Sequence, residues 1–274
     1  MTIKNKIKHL PLELYGRTYE AFKVEKFTKN FLPDAYHVRV ICYHDIPEKD
    51  LASFEKQIQF LKKEYAIINA QQLKEFLLGR GFLPNTNIFI TFDDGSADQY
   101  KAAEILDQYQ IQACFFVNTG DRNKEFINSR PGSKLPPMTW DQIKSLHQRG
   151  HIIGSHTATH PILSKLQPYE VAQEMLQSKQ SLEAVICDKV EFFAFPYGTL
   201  REISQEALLI AKKYYDFNFL FIPGKSHFNN ANRFIINRTG VGPRDSVYYL
   251  RAVMGGLKDW PKKSQFEKLR QLLF

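Results

Sequence analysis

The chain of 274 residues predicts an α/β fold, a distorted (β/α) barrel of seven or eight parallel strands built as a single domain. Three observations carry that expectation. Short apolar, β-rich runs alternate with amphipathic stretches along most of the chain, which is the pattern of a parallel sheet with both faces covered. No internal repeat, low-complexity tract or Gly/Ser linker divides the sequence. The length suffices for one large domain with a substantial core, and a barrel is the natural closure for about eight such units. An open doubly wound sheet is the runner-up.

In order, the strand-like runs are VRVICYH, AIIN, NIFITFD, ACFFVNT, HIIGS, FFAFP, FNFLFI and FIINRTGV. Helical patterns separate most of them. In AQQLKEFLLG, Leu73, Phe76 and Leu77 recur at helical spacing, and Gly79 stands where a left-handed C-terminal residue belongs. In TWDQIKSLHQRG, Thr139 has the character of an N-cap and Gly150 closes the helix. Residues 1–35 fall outside the alternation and are expected to form an N-terminal extension packed on the barrel, which then occupies 36–274 with a C-terminal helix. The polar insertion GDRNKEFINSRPGSKLPP interrupts the pattern between Gly120 and Pro137, where a substrate loop is expected.

Composition is that of a globular protein, at 43% hydrophobic and 24% charged residues. No apolar run approaches the ~20 residues of a membrane span. The N-terminal segment has lysines but neither an apolar core nor a small-residue cleavage site, so a cytoplasmic location is expected. The net charge of +8 is spread along the chain and suits solvated helix faces or an anionic partner. The terminal WPKKSQFEKLRQLLF reads as a basic amphipathic helix that packs on its own domain or lies on a membrane surface, possible grounds for peripheral association. No nucleic-acid motif is present. Cys42, Cys114 and Cys187 are widely spaced, without CxxC, and read as buried thiols with no disulfide or metal role.

Barrel enzymes place their chemistry at the C-terminal ends of strands, and here most of the runs end on polar or titratable residues. His44 and Asp45 end the first, Asp93 and Asp94 the third, and Asn118 the fourth. His156 follows the fifth, Pro196 and Tyr197 the sixth, and Arg238 lies in the eighth. In ITFDDG the two adjacent carboxylates face different sides at one location and take different tasks, with Gly95 permitting the sharp turn. In HIIGSHTATH, His156 and His160 are spaced i, i+4; a helical turn after the strand would put both imidazoles on one face. Two histidines and a carboxylate form a donor set for one divalent metal, zinc by default, with iron, cobalt, nickel or manganese also suited.

TFDDG, SHTATH and FAFPYG, in that order with a helix and strand between them, resemble the polysaccharide deacetylases, the NodB-homology group or carbohydrate esterase family four. The likeness runs over about residues 38–241. It implies the distorted barrel and hydrolysis of N-acetyl groups on a hexosamine-containing glycan or its nucleotide- or lipid-linked precursor. It also implies Asp93 as the base acting on the attacking water, and Asp94, His156 and His160 as metal ligands. The Tyr197 backbone N–H would help hold the oxyanion, and Pro196, Asn118 and Asp45 would stand at the substrate. Most members carry the general-acid histidine late in the chain; here VICYHDIP is similar to the branch acting on poly-N-acetylglucosamine, which carries it at the N-terminus, so the resemblance implies His44 as that acid. Where most members have an arginine in the third motif this chain has Ala194, so Arg238 is expected either to supply the guanidinium to Asp93 or to be a surface or phosphate-binding arginine. The family's Asp-Trp motif of the acetyl pocket is left unassigned. An O-acetyl esterase, a non-sugar amidase, or an inactive glycan-binding barrel are the alternatives.

Overall fold

A computed structural model describes residues 37–81, 83, 86–120, 135–227, 233–256 and 258–259 of the chain. The expected N-terminal extension, most of the insertion after Gly120 and the C-terminal helix lie outside these residues.

The apolar runs become strands β1 (His37–Tyr43), β2 (Ala66–Ile67), β3 (Asn87–Phe92), β4 (Ala113–Val117), β5 (Ile152–Ser155), β6 (Phe192–Ala194), β7 (Phe217–Phe219), β8 (Ser226–His227) and β9 (Arg238–Gly240). The helices between them are α1 (Leu51–Glu64), α2 (Ala70–Leu77), α3 (Asp98–Gln108), α4 (Trp140–Gln148), α5 (Pro168–Ile186), α6 (Gln205–Tyr214) and α7 (Val247–Met254). Strands β7, β6, β5, β4, β3 and β1 lie side by side, and β9 pairs in parallel with the free side of β1. A parallel bridge from Phe219 to Ile236 joins β7 to the segment entering β9, so the sheet curves round on itself. These seven parallel staves are the expected distorted barrel. Two short strands are not staves: β2 pairs only with the start of β3, and β8 runs antiparallel to β1. The eighth run, FIINRTGV, enters the ladder only at Arg238.

Every residue of β1 and β3 is buried, because alternate side chains serve two different cores. Val38, Val40, Phe89, Cys114, Phe116, Phe192, Ala194, Phe217 and Phe219 form one cluster, joined by Leu73, Phe76 and Leu77 of α2. Their sequence neighbours Ile41, Tyr43, Ile88, Ile90, Phe92, Phe115, Val117 and Phe193 form the other, against Phe54, Ile58 and Leu61 of α1 and the outer helices. The first set fills the barrel and the second glues on the helices. Large rings dominate the interior, and Gly154 is what admits Phe116: a Cβ there would lie 2.4 Å from its ring.

Local signals set the helix ends. Thr139 accepts from the Gln142 N–H and the Gln142 side chain reaches back to the Thr139 N–H, a reciprocal cap repeated by Asn69 and Gln72 on α2. Gly79 follows α2 with φ 75°. One expectation fails: Cys42 and Cys114 are buried, but Cys187 is exposed. It ends α5 in a left-handed conformation (φ 54°), beyond the last residue that packs inward. No described helix is long and apolar enough to cross a membrane.

Candidate active site

Where β3 ends, Asp93 continues the inward-facing series begun by Phe89 and Thr91. Arg238, the first residue of β9, meets it from across β1. Its guanidinium forks onto the carboxylate: Nη1 donates to Oδ1, and Nη2 to Oδ2 at 2.9 Å. Nε donates to the Leu220 carbonyl at 3.1 Å, and the guanidinium lies 5.0 Å above the Phe116 ring. Arg238 is 0% and Asp93 2% exposed, so the pair is withdrawn from water. Burial alone would push the Asp93 carboxyl up. Arg238 first, then His156 and His44, outweigh it and hold the group well below the usual carboxylate range.

Asp94 points elsewhere. Its backbone is left-handed (φ 78°), as is that of Gly95 (φ 68°), and this turn carries the second carboxylate away from the first. Asp94 Oδ1 lies 3.7 Å from His156 Nε2 and 3.6 Å from His160 Nε2. Metal bonds of about 2.1 Å in a tetrahedron set donors roughly 3.4 Å apart, so these three atoms fit a divalent cation. His156 Nδ1 stands 2.7 Å from the Ala194 carbonyl, which assigns the proton to Nδ1 and leaves Nε2 as the donor atom toward a metal. Burial first, with His160 and Arg238 adding to it, lowers the His156 pKa to about 3 against the opposing pull of Asp93. The ring is therefore neutral, the state a metal requires.

The two histidines do not sit on a helical turn. Thr157 (φ 66°) and His160 (φ 58°) are both left-handed, and the segment is a bend rather than a helix. Thr157 Oγ1 donates to the His156 carbonyl at 2.6 Å and accepts from the His160 N–H at 3.0 Å, which curls the chain until the rings are 4.8 Å apart. The spacing found the pair, and side-chain hydrogen bonds, not helical periodicity, bring it together.

Cys42, His44 and Asp93 also bring donor atoms within 4.8 Å of one another. That set does not suit a cation. Both Asp93 oxygens are held by Arg238, and burial, then the Asp93 charge, pushes the Cys42 thiol well up, keeping it protonated.

A cleft of about 310 Å³ opens over these groups, lined by His44, Asp93, Asp94, His156, His160, Tyr197, Thr199, Glu202 and Phe221. His44 Nε2 lies 4.0 Å from Asp93 Oδ2, its ring edge-on to Phe221 with centroids 5.6 Å apart. Tyr197 (φ 58°) and Gly198 (φ 60°) form a left-handed turn after β6 that puts the Tyr197 ring 4.8 Å from that of His160. Gly198 is required: a Cβ would stand 2.4 Å from the Phe221 nitrogen. Three sequence candidates are not among these lining residues. Pro196 is buried; Asn118 is buried and reaches the Asp94 carbonyl at 3.5 Å; Asp45 is half-buried near Asp98. Burial raises the Asp98 carboxyl, the Ser96 hydroxyl works against it, and the Asp45 charge adds to the rise.

Sequence reasoning passed over Phe221, Thr199 and Glu202. Phe221 was hidden in an apolar run whose strand stops at Phe219. The T-x-x-E spacing of Thr199 and Glu202 was the available signal, since that hydroxyl donates to that carboxylate. An Asp-Trp pair does occur at residues 259–260. Asp259 is taken by Arg39, whose Nη1 and Nη2 donate to its two oxygens at 3.0 and 2.7 Å, and Trp260 is outside the described residues.

Residues 82–215 match the family model for polysaccharide deacetylase, a span that holds TFDDG, SHTATH and FPYG. The Bacillus subtilis protein YxkH, named for a polysaccharide deacetylase, is 29% identical over 158 residues, 57% of this chain and 52% of that protein. A Bacillus cereus peptidoglycan-N-acetylglucosamine deacetylase is 27% identical over 117 residues, 42% of this chain and 38% of that one. This chain thus spans about half the length, or less, of those two relatives. The Staphylococcus aureus poly-beta-1,6-N-acetyl-D-glucosamine N-deacetylase is 24% identical over 246 residues, 85% and 80% of the two chains. Among solved structures, IcaB from Ammonifex degensii superposes with a TM-score of 0.67 at 23% identity, over 80% of this chain and 97% of that one. The Streptococcus pyogenes deacetylase PplD, solved with acetate, gives 0.67 at 24%, over 80% and 98%. These structural likenesses establish the barrel. Taken with the family match over the motif-bearing segment, they lead to one conclusion: the chain is similar to the polysaccharide deacetylases, in sequence over residues 82–215 and in the fold of its barrel.

Proposed function

We propose that this protein is a metal-dependent hydrolase that removes N-acetyl groups from an N-acetylhexosamine-containing glycan or its nucleotide- or lipid-linked precursor. The observation that carries the reading is the division of labour between adjacent carboxylates. Asp93 is held ionised by a buried guanidinium, while Asp94 faces two histidines at metal-ligand separations. Asp94, His156 and His160 would hold the cation, zinc by donor type, which supplies Lewis-acid polarisation of the amide carbonyl and acidifies water. Asp93 takes the proton of the attacking water on a carboxylate oxygen, and Arg238 keeps that oxygen ionised and aimed. His44, across the cleft, delivers a proton from Nε2 to the leaving nitrogen, without which an amine does not depart. The Tyr197 backbone N–H adds a fixed dipole toward the carbonyl oxygen. Tyr197 and Phe221 present apolar walls suited to the faces of a sugar ring. The Staphylococcus aureus relative, named for an N-deacetylase of a glucosamine polymer, supports an amide over an ester. The +8 charge favours a phosphate-bearing precursor.

The test is acetate release from a panel of N- and O-acetylated sugars by metal-loaded wild type, Asp93→Asn and His44→Ala. Release from N-acetylated sugars by wild type, lost in both variants with metal still bound, is the expected result. A wild type that frees no acetate and holds no metal would overturn the reading.

A further inference from the structure

The parallel register of β1 and β3 ends at Tyr43 beside Phe92, and the Asp93 N–H makes one more bond to the Tyr43 carbonyl at 3.0 Å. Just past that rung each strand carries one partner of the acid–base pair, His44 and Asp93. Their two carbonyls are bridged by a single side chain. Gln99 Nε2 donates to the His44 carbonyl at 3.1 Å and to the Asp93 carbonyl at 2.5 Å. Gln99 is wholly buried in the first turn of α3. Its neighbour Asp98 accepts from the Ile46 N–H at 2.5 Å and from the Ser96 hydroxyl at 2.6 Å. The first two residues of one helix thus hold the backbone at 44, 46 and 93.

From this geometry we infer that Gln99, seconded by Asp98, is a positioning residue that sets the spacing of His44 and Asp93 across the cleft. A buried amide is costly unless its hydrogens are used, and both hydrogens here go to the residues that bear the acid and the base. The bridge acts as a side-chain rung where the ladder stops, so the strand ends cannot splay. His44 Nε2 and Asp93 Oδ2 stand 4.0 Å apart, and proton transfer tolerates little drift: a 1 Å misplacement costs on the order of 100-fold in rate. The two histidines of the metal-ligand set are held separately, by the bend at Thr157 and the Ala194 carbonyl, so loosening the rung leaves their spacing intact.

The inference rests on the proposed roles of His44 and Asp93, and its test separates the two. Gln99→Met keeps the length and removes the donor; Asp98→Asn is the milder companion. For Gln99→Met, kcat for acetate release at saturating zinc is expected to fall about 10- to 100-fold, with KM within about twofold. Asp98→Asn is expected to lower kcat about threefold to tenfold in the same manner. Crystal structures should show the His44–Asp93 separation changed by more than about 0.5 Å in Gln99→Met while the His156–His160 spacing stays as it is. A folded Gln99→Met with wild-type kcat at saturating zinc, or one in which kcat falls and KM rises by similar factors, would overturn the positioning role. If wild type frees no acetate from any glycan, the functional reading falls alone, and an unchanged His44–Asp93 distance in the variant is then the result that overturns this inference.

Discussion

Replacing Arg238 with methionine removes the guanidinium while keeping most of the aliphatic stem that packs inside the barrel. Asp93 is then left 2% exposed without its fork. Stripping one partner from a buried pair costs about 3–5 kcal/mol, because the remaining charge keeps its desolvation penalty. At ~1.36 kcal/mol per decade, the same loss in the transition state corresponds to about 10²- to 10⁴-fold in kcat/KM. Asp93 has an escape, which is to take up a proton: burial pushes its carboxyl up, and Arg238 is the largest force opposing that. In wild type the folded carboxyl lies below its unfolded value, so its stabilisation is present above the ordinary carboxylate range and is lost only as pH falls through the folded value. In Arg238→Met that advantage is gone, and a base that must be ionised to work requires a higher pH. The assay is kcat/KM for acetate release from pH 5 to 9 in wild type, Arg238→Met, Asp93→Asn and the double variant, with urea midpoints for each. The acidic limb of the profile should move upward in Arg238→Met, and the double variant should be no worse than Asp93→Asn. Turnover within about threefold of wild type, with an unshifted profile, would refute the argument that Arg238 keeps the base ionised.

Other outcomes follow from the same geometry. His160→Ala removes one of the three proposed ligands and should abolish stoichiometric metal and activity together, as read by metal analysis, and a chelator should reproduce the loss in wild type. Gly198→Ala places a Cβ 2.4 Å from the Phe221 nitrogen at a residue with φ 60°, so stability should fall by about 1–3 kcal/mol in denaturant melts. His151 is buried, accepts from the Ala113 N–H through Nδ1 at 3.2 Å and faces Asp107 through Nε2 at 3.0 Å. Burial lowers its pKa below the unfolded value of about 6.5, so its contribution to stability is complete above that pH and declines as pH falls below it. Thermal midpoints at pH 7.5 and 5 should therefore differ less in His151→Gln than in wild type. The difference should shrink without vanishing, because His156 is lowered in the same direction.

Much of the site was legible because its parts are local in sequence. Asp93 and Asp94 are adjacent, and the left-handed turn at Asp94 and Gly95 that separates their tasks is written in the Asp-Gly dipeptide. His156 and His160 stand close enough for any compact turn to unite them. What the spacing could not specify was the kind of turn. An i, i+4 pair suits a helix, but the hydroxyl of Thr157 competes for the backbone and curls it through two left-handed residues instead. Phe221 was misread for a related reason: apolarity marks burial, and it does not say where pairing stops.

By itself the sequence determined the alternation of strands and helices, the cap at Thr139, and which strand ends carry carboxylates and imidazoles. These follow from side-chain periodicity and short-range hydrogen bonds, which involve residues a few positions apart. Only the tertiary structure decided that Arg238 meets Asp93 across 145 residues of chain, and that Gln99 ties the strand ends bearing His44 and Asp93. It also decided that Phe221 and Glu202 close the cleft. Those meetings depend on how the barrel closes, through β9 on β1 and the bridge from Phe219 to Ile236. Closure is a property of the whole set of strands, whose relative order and register no local pattern contains.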